Sequence, residues 1–141
     1  MNPNRTVQRA SQFYPTLEQY LLERAEEFRS IPTARQTDLR KVAEYVRAHV
    51  VKSMPAKLTF ICTHNSRRSH LSQIWAQVAA DYFGIDKVET YSGGTEATAF
   101  NPRAVAAMQR CGLATSTADV DSSNPRYEVR THDGSEVNSK T

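Results

Sequence analysis

Apolar positions recur at helical spacing through the first third of the chain, then gather into a short unbroken run at its centre. Leu17, Tyr20, Leu21, Arg24 and Phe28 fall on related faces of a predicted helix, and Pro15-Thr16 followed by Gln19 resembles a capping box at its start. Ile31-Pro32 breaks that helix, because proline lacks an N–H and restricts the residue before it. Leu39, Val42, Ala43, Val46 and Val50 then repeat at 3/4 spacing and predict a second helix over 37–52, ended by Pro55. Residues 58–62 read LTFIC, a continuous apolar run of the kind expected of a fully buried parallel strand. A wholly polar loop follows, and a third helix is predicted from Arg68 to Phe83, with Leu71, Ile74, Trp75, Val78 and Tyr82 on its core side and Gly84 at C′. A second strand over 88–92 and a helix over 102–110 closed by Gly112 complete an alternating α/β pattern with parallel pairing. From Thr115 the chain turns polar. Residues 127–131 alternate as a strand, and the His132-Asp133-Gly134-Ser135 turn folds it back on an arm over 136–139.

The strand–loop–helix at 58–75 carries the chemistry. It sets the thiol of Cys62 at the mouth of a loop whose N–H groups converge on a helix N-terminus. Such N–H groups lack intrahelical partners, and the helix dipole adds positive potential, so the place suits an anion. The same field favours a thiolate, which is the nucleophilic form of cysteine. Arg68 lies six positions on and presents a planar fork that matches two oxygens of a tetrahedral oxyanion. The bland reading makes Cys62 a buried strand end and Arg68 a solvated first-turn residue, but arginine at a helix start opposes the dipole. Attack on phosphorus or arsenic is the chemistry these residues suggest.

Cys62-Thr63-His64-Asn65-Ser66-Arg67-Arg68-Ser69 resembles the phosphate-binding loop of low-molecular-weight protein tyrosine phosphatases and of the related thioredoxin-coupled arsenate reductases. Tyr91-Ser92-Gly93-Gly94-Thr95, Asn101-Pro102-Arg103-Ala104-Val105 and Cys111-Gly112-Leu113 continue the resemblance in order, over residues 57–113. It implies an α/β fold, a phosphotyrosine phosphatase I-like parallel sheet flanked by helices, with only its first part present and an N-terminal helical extension. Residues 1–56 are the expected extension and 57–141 the expected core. The resemblance makes Cys62 the nucleophile, Arg68 the oxyanion clamp and Ser69 the donor to the Cys62 sulfur. Thr63, His64, Asn65, Ser66, Arg67 and Arg68 form the phosphate-binding loop, with Asn65 pinning it through its own backbone. Two residues depart from the commonest pattern: His64 stands where glycine is frequent, and Arg67 where a protecting cysteine is frequent. The family's Asp-Pro general acid also has no counterpart, since no aspartate here precedes a proline. The absent last strands and helix lead to the expectation of a truncated chain, whose first strand has an edge that must be covered by the 120–140 hairpin or by a partner.

Composition narrows the functional classes. With 141 residues there is room for one domain. The net charge of +3 is too small to point to nucleic acid, and its excess lies in residues 1–56, which hold nine Lys/Arg against six Asp/Glu. No secretory signal or membrane-length apolar run appears, so a cytoplasmic location is expected. The two cysteines are 49 positions apart, and Cys111, before Gly112, reads as a buried structural thiol. Three functions follow: phosphomonoester hydrolysis through a cysteinyl-phosphate, arsenate reduction, or non-catalytic oxyanion binding. The expected partners are a phosphorylated protein or small phosphomonoester, or arsenate with thioredoxin. No cofactor or metal is expected, Cys62/His64/His70 being a poor ligand set with His70 read as a surface residue. A homodimer through the helices or the sheet edge is a further expectation. Trp75 reads as core; Arg103, Arg110 and His132 read as solvated, Arg103 within reach of substrate.

Overall fold

The computed structural model describes residues 12–135 and 137–139. Helix α1 (Pro15–Glu26) runs into a 3-10 turn (Glu27–Ser30) and is followed by α2 (Thr33–Val51). Strand β1 (Ala56–Cys62), helix α3 (Arg68–Tyr82), strand β2 (Val88–Gly94) and helix α4 (Pro102–Arg110) form the alternating unit. Three short strands close the chain: β3 (Ala114–Ser116), β4 (Tyr127–Arg130) and β5 (Val137–Ser139). Glu136, at the start of the predicted last arm, lies outside the described residues, as do the first eleven residues of the expected extension.

The two N-terminal helices start differently from expectation. Pro15 sits at the first helical position with Tyr14 as N-cap, and no side chain caps the end. The ring's fixed φ begins the helix by itself, which places Thr16 inside the first turn and leaves no capping box. Gln19 instead donates to Glu23 at 2.8 Å. Helix α2 begins at Thr33, four residues before the predicted start, directly after Pro32. None of its residues is buried: Leu39 and Val42 are 43% and 46% exposed. The apolar stripe of α2 is therefore not a core face, whereas α1 contributes Leu17 to the core with no exposure at all.

Strands β1 and β2 pair in parallel, in register from Ala56↔Val88 to Cys62↔Gly94. The sheet is α/β and two-stranded, and β3, β4 and β5 form a separate antiparallel sheet in that order. The hairpin consequently pairs with β3 and does not cover the free edge of β1. The short strand β3 was hidden in sequence because its three residues are small or polar and largely exposed. Nor is β1 fully buried: Ala56, Leu58, Phe60 and Cys62 point inward while Lys57, Thr59 and Ile61 are exposed. The alternation marks a strand covered on one face, in contrast to the run of apolar letters.

The core joins α1, α3, α4 and the second sheet through Leu17, Ile74, Val78, Phe100, Met108, Leu113, Val129 and Val137. Leu71, Trp75 and Tyr82 pack against it from α3, half-buried. Gly84 ends α3 with φ 67, and Gly112 follows α4 with φ 99. A Cβ on Gly112 would lie 2.3 Å from the Leu17 nitrogen, so only glycine lets α1 approach so closely.

Helix α3 meets β2 through polar side chains as well as apolar ones. Gln73 donates to the Thr90 carbonyl at 3.1 Å, and Thr90 donates back to Gln77 at 3.2 Å. His70 Nδ1 lies 3.3 Å from the Ser92 hydroxyl, and its ring stacks on Phe100 at 4.1 Å. His70 has no exposed surface. The sequence reading of His70 as a surface residue is thus corrected: the face of α3 against β2 is a polar seam, which apolar periodicity does not reveal. Together these contacts hold the N-terminus of α3 beside the carboxyl ends of both parallel strands.

Candidate active site

The loop between β1 and α3 is built around Asn65. Its backbone takes φ 43, in the left-handed region that asparagine tolerates, and the residue is buried. Its Oδ1 lies 2.6 Å from the Ser69 hydroxyl, which also lies 3.1 Å from Cys62 Sγ. Asn65 therefore anchors the loop through Ser69, in place of the expected bond to its own backbone. Ser69 has one proton for two neighbours. With a thiol, Cys62 donates to Ser69 and Ser69 donates to Asn65. With a thiolate, Ser69 must donate to the sulfur instead.

The sulfur is favoured as a thiolate. The Cys62 pKa is lowered from 9.0 to about 7, with the Ser69 hydroxyl as the largest cause. Partial burial works in the opposite direction, while the N–H groups of Ser69, Asn65 and Ser66 add to the lowering. These N–H groups supply fixed partial positive charge at the start of α3, as the converging loop predicts. Behind the loop, burial pushes the His70 pKa down to about 4, opposed by the Asn65 carbonyl, so this imidazole is neutral in the fold at physiological pH.

The segment after β2 grips the loop from the other side. The N–H groups of Thr95 and Glu96 both donate to the Thr63 carbonyl, at 2.9 and 3.0 Å. Asn101 N–H donates to the Ser66 carbonyl at 2.7 Å, and the Ser66 hydroxyl donates to the Ala99 carbonyl at 2.8 Å. A Cβ on Gly94 would lie 2.7 Å from the Asn65 nitrogen, so β2 ends in a glycine because the loop backbone passes against it. Asn101 caps α4 by accepting from Arg103 N–H at 2.9 Å.

A cavity of about 290 Å³ opens over the thiol, lined by Cys62, His64, Ser66, Arg67, Arg68, Thr98 and Asn101. Five of these seven come from the loop singled out in the sequence. Thr63, Asn65 and Ser69 stand behind it and shape it without lining it. Thr98 and Asn101 were not anticipated as lining residues; the Asn-Pro helix start was the available signal for Asn101. Arg103 is exposed and does not line the cavity. Glu96 was missed altogether: its Oε2 lies 2.8 Å from His64 Nδ1, a contact across 32 residues of sequence. Cys111 is a free thiol at the C-cap of α4, half-buried as opposed to the expected buried position. Among the described residues no three His, Cys, Asp or Glu side chains converge as metal ligands, and no helix is long and apolar enough to cross a membrane.

Residues 57–128 match the family model described as low molecular weight phosphotyrosine protein phosphatase. The chain belongs to this family. Its curated relatives include an arsenate reductase of Bacillus subtilis (strain 168), 44% identical over 54 residues that make up 38% of this chain and 36% of the relative. Arsenate reductase 2 of Staphylococcus haemolyticus (strain JCSC1435) is 41% identical over 54 residues, 38% of each protein. An arsenate reductase of Staphylococcus aureus (strain Newman) is 42% identical over 55 residues, again 38% of each. The matched stretch thus spans less than two fifths of the length of these relatives. No solved structure gives a significant match.

Proposed function

We propose that this family member is a cysteine-dependent phosphomonoester hydrolase, with Cys62 as nucleophile, Arg68 as oxyanion clamp and Ser69 as donor to the sulfur. The observation that carries the reading is a thiol with its pKa lowered to about 7 on the floor of a cavity lined by two guanidinium groups. At neutral pH about half of such a thiol is ionised, so a nucleophile and a dianion-binding site coexist. The thiolate attacks phosphorus, the ester oxygen leaves, and water releases phosphate from the cysteinyl intermediate. The loop N–H groups from Thr63 to Arg68 and the Arg68 fork hold charge that develops on the equatorial oxygens.

Arsenate reduction is the second reading, favoured by the names of the curated relatives. It needs a further thiol to attack the first adduct, so that arsenic gains two electrons and two thiols become a disulfide. Cys111 is the second cysteine of this sequence, and thioredoxin would be the external reductant. Both readings are tested by turnover of an aryl phosphate beside a Cys62→Ser control, and of arsenate with thioredoxin. Phosphate release abolished by Cys62→Ser supports hydrolysis. Arsenite formation alone supports reduction. Neither product, with phosphate still slowing Cys62 alkylation, leaves oxyanion binding without catalysis.

A further inference from the structure

The cavity over Cys62 offers more than a phosphoryl cradle. Cys62, the loop N–H groups and Arg68 serve one phosphoryl group, and Arg67, Thr98 and Asn101 line the same space. Arg67 is the N-cap of α3 and makes no side-chain cap, its carbonyl accepting the first helical bond from Leu71 N–H at 2.9 Å. Short polar residues are favoured at an N-cap and a cation there opposes the dipole, so helix stability does not account for this guanidinium. Neighbouring positions of a helix do not share a face, so the Arg67 fork does not duplicate that of Arg68. Asn101 Oδ1 accepts from Arg103 N–H at 2.9 Å to cap α4, and the NH2 of the amide is what Asn101 has left to offer a ligand. The Asn101 N–H on the Ser66 carbonyl, at 2.7 Å, fixes this residue beside the loop, at the position just before Arg67.

A guanidinium has five donors and no acceptor, and the Asn101 NH2 and the Thr98 hydroxyl add further donors. A donor wall of this kind suits an anion, and the guanidinium fork matches the paired oxygens of a carboxylate or a phosphate. At about 290 Å³ the cavity is at the lower end of small-molecule sites, so it takes both anions on one compact molecule. We propose that Arg67, Thr98 and Asn101 form a second anion subsite, and that the substrate is a compact phosphomonoester whose alcohol carries a further anionic group, an inference that rests on the phosphomonoesterase reading. Arg68 and the loop N–H groups take the phosphoryl oxygens, while Arg67 and the Asn101 NH2 donate to the second anion. Arg67 is the specificity-determining residue. The loop position that is frequently cysteine in the resembled family thus reads the alcohol and not the phosphorus.

The test measures kcat/KM for 3-carboxyphenyl phosphate, 1,3-phenylene bisphosphate and 3-carbamoylphenyl phosphate, the last a neutral analogue shaped like the carboxylate. The chains compared are the unsubstituted one, Arg67→Gln, Arg67→Lys, Asn101→Asp and Cys62→Ser. Dividing each anionic ester by the carbamoyl ester cancels any loss that a loop substitution imposes on both, and the larger ratio names the anion the site reads. The unsubstituted chain should prefer an anionic ester by about tenfold or more. That preference should fall toward one in Arg67→Gln and with rising ionic strength, and Arg67→Lys, which keeps the charge without the fork, should retain part of it. Asn101→Asp keeps an acceptor for the α4 cap but sets a negative charge in the wall, and should lower the ratio as well. A ratio near one in the unsubstituted chain, or an equal ratio in Arg67→Gln, overturns the proposal while hydrolysis stands. Absence of Cys62-dependent release from all three esters overturns the phosphomonoesterase reading, and the proposal with it.

Discussion

Removing the Ser69 hydroxyl isolates the largest cause of the low Cys62 pKa. With a pKa of about 7 the thiol is half ionised at pH 7, and with full return to 9.0 it would be about 1% ionised, a fall of about fiftyfold in thiolate. A more basic thiolate is also more nucleophilic: with a Brønsted coefficient of about 0.4–0.5, two pKa units raise its intrinsic rate about six- to tenfold. The net result for Ser69→Ala is a five- to eightfold slower reaction at about pH 7, reversing to a faster one at about pH 9, with the two profiles crossing near pH 8. These values bound the effect, because the N–H groups of Ser69, Asn65 and Ser66 remain in the variant. The assay is the rate of reaction with a neutral aromatic disulfide from pH 5 to 10, in a Cys111→Ser background that leaves Cys62 as the sole thiol. Ser69→Thr, which keeps a hydroxyl, should stay near the parent profile. Superimposable midpoints for the parent and Ser69→Ala would refute the assignment of the shift to this hydrogen bond.

Three further outcomes follow from the packing around the loop and the core. Gly94→Ala puts a Cβ 2.7 Å from the Asn65 nitrogen; it should cost roughly 1–3 kcal/mol in urea unfolding and raise the Cys62 midpoint in the disulfide assay. Gly112→Ala combines φ 99 with a 2.3 Å clash at Leu17 and should cost at least about 2 kcal/mol without moving that midpoint, separating the core from the loop. For His70, the unfolded chain binds a proton below its ordinary pKa of 6.5, while the fold refuses one until about 4. Stability is therefore full above pH 6.5 and lost as pH falls through this window, by up to about 3 kcal/mol, relative to a His70→Gln chain measured in parallel by urea unfolding.

The loop was legible because its signals are local. An apolar strand, a polar turn with an αL-tolerant asparagine and a helix start all fall within 18 residues, 58–75, and the geometry follows the order of the letters. Residues that depend on a neighbour distant in sequence were not legible. His70 and Gln73 are buried polar side chains on α3 that meet β2, and apolar periodicity gives no sign of them, whereas Ser69 was named from the local loop motif. The stripe on α2 misled in the opposite sense, since spacing shows which residues share a face but not whether anything covers it. Lys57 and Thr59, alternating with Leu58 and Phe60, already carried the mark of a half-covered β1, masked by the apolar ending at Phe60-Ile61-Cys62. Glu96 had no local signal at all; only the pairing of Cys62 with Gly94 brings the following residues to Thr63.

The grip of residues 95–101 on the loop is made largely by their main chain, with the Thr95 hydroxyl on the Thr63 carbonyl and Glu96 on His64 as side-chain additions. Thr95 and Glu96 donate through backbone N–H groups, Asn101 likewise, and Ala99 accepts through its carbonyl. Hydrogen bonds of this kind are indifferent to side-chain identity. Ala97 and Ala99 can therefore exchange for other residues while the oxyanion cradle keeps its shape, with Gly94 as the fixed point, whereas Thr95 and Glu96 also reach the loop through their side chains. The rim and the floor of this site are free to evolve separately: a lineage could change what approaches the thiol without re-inventing the chemistry beneath it.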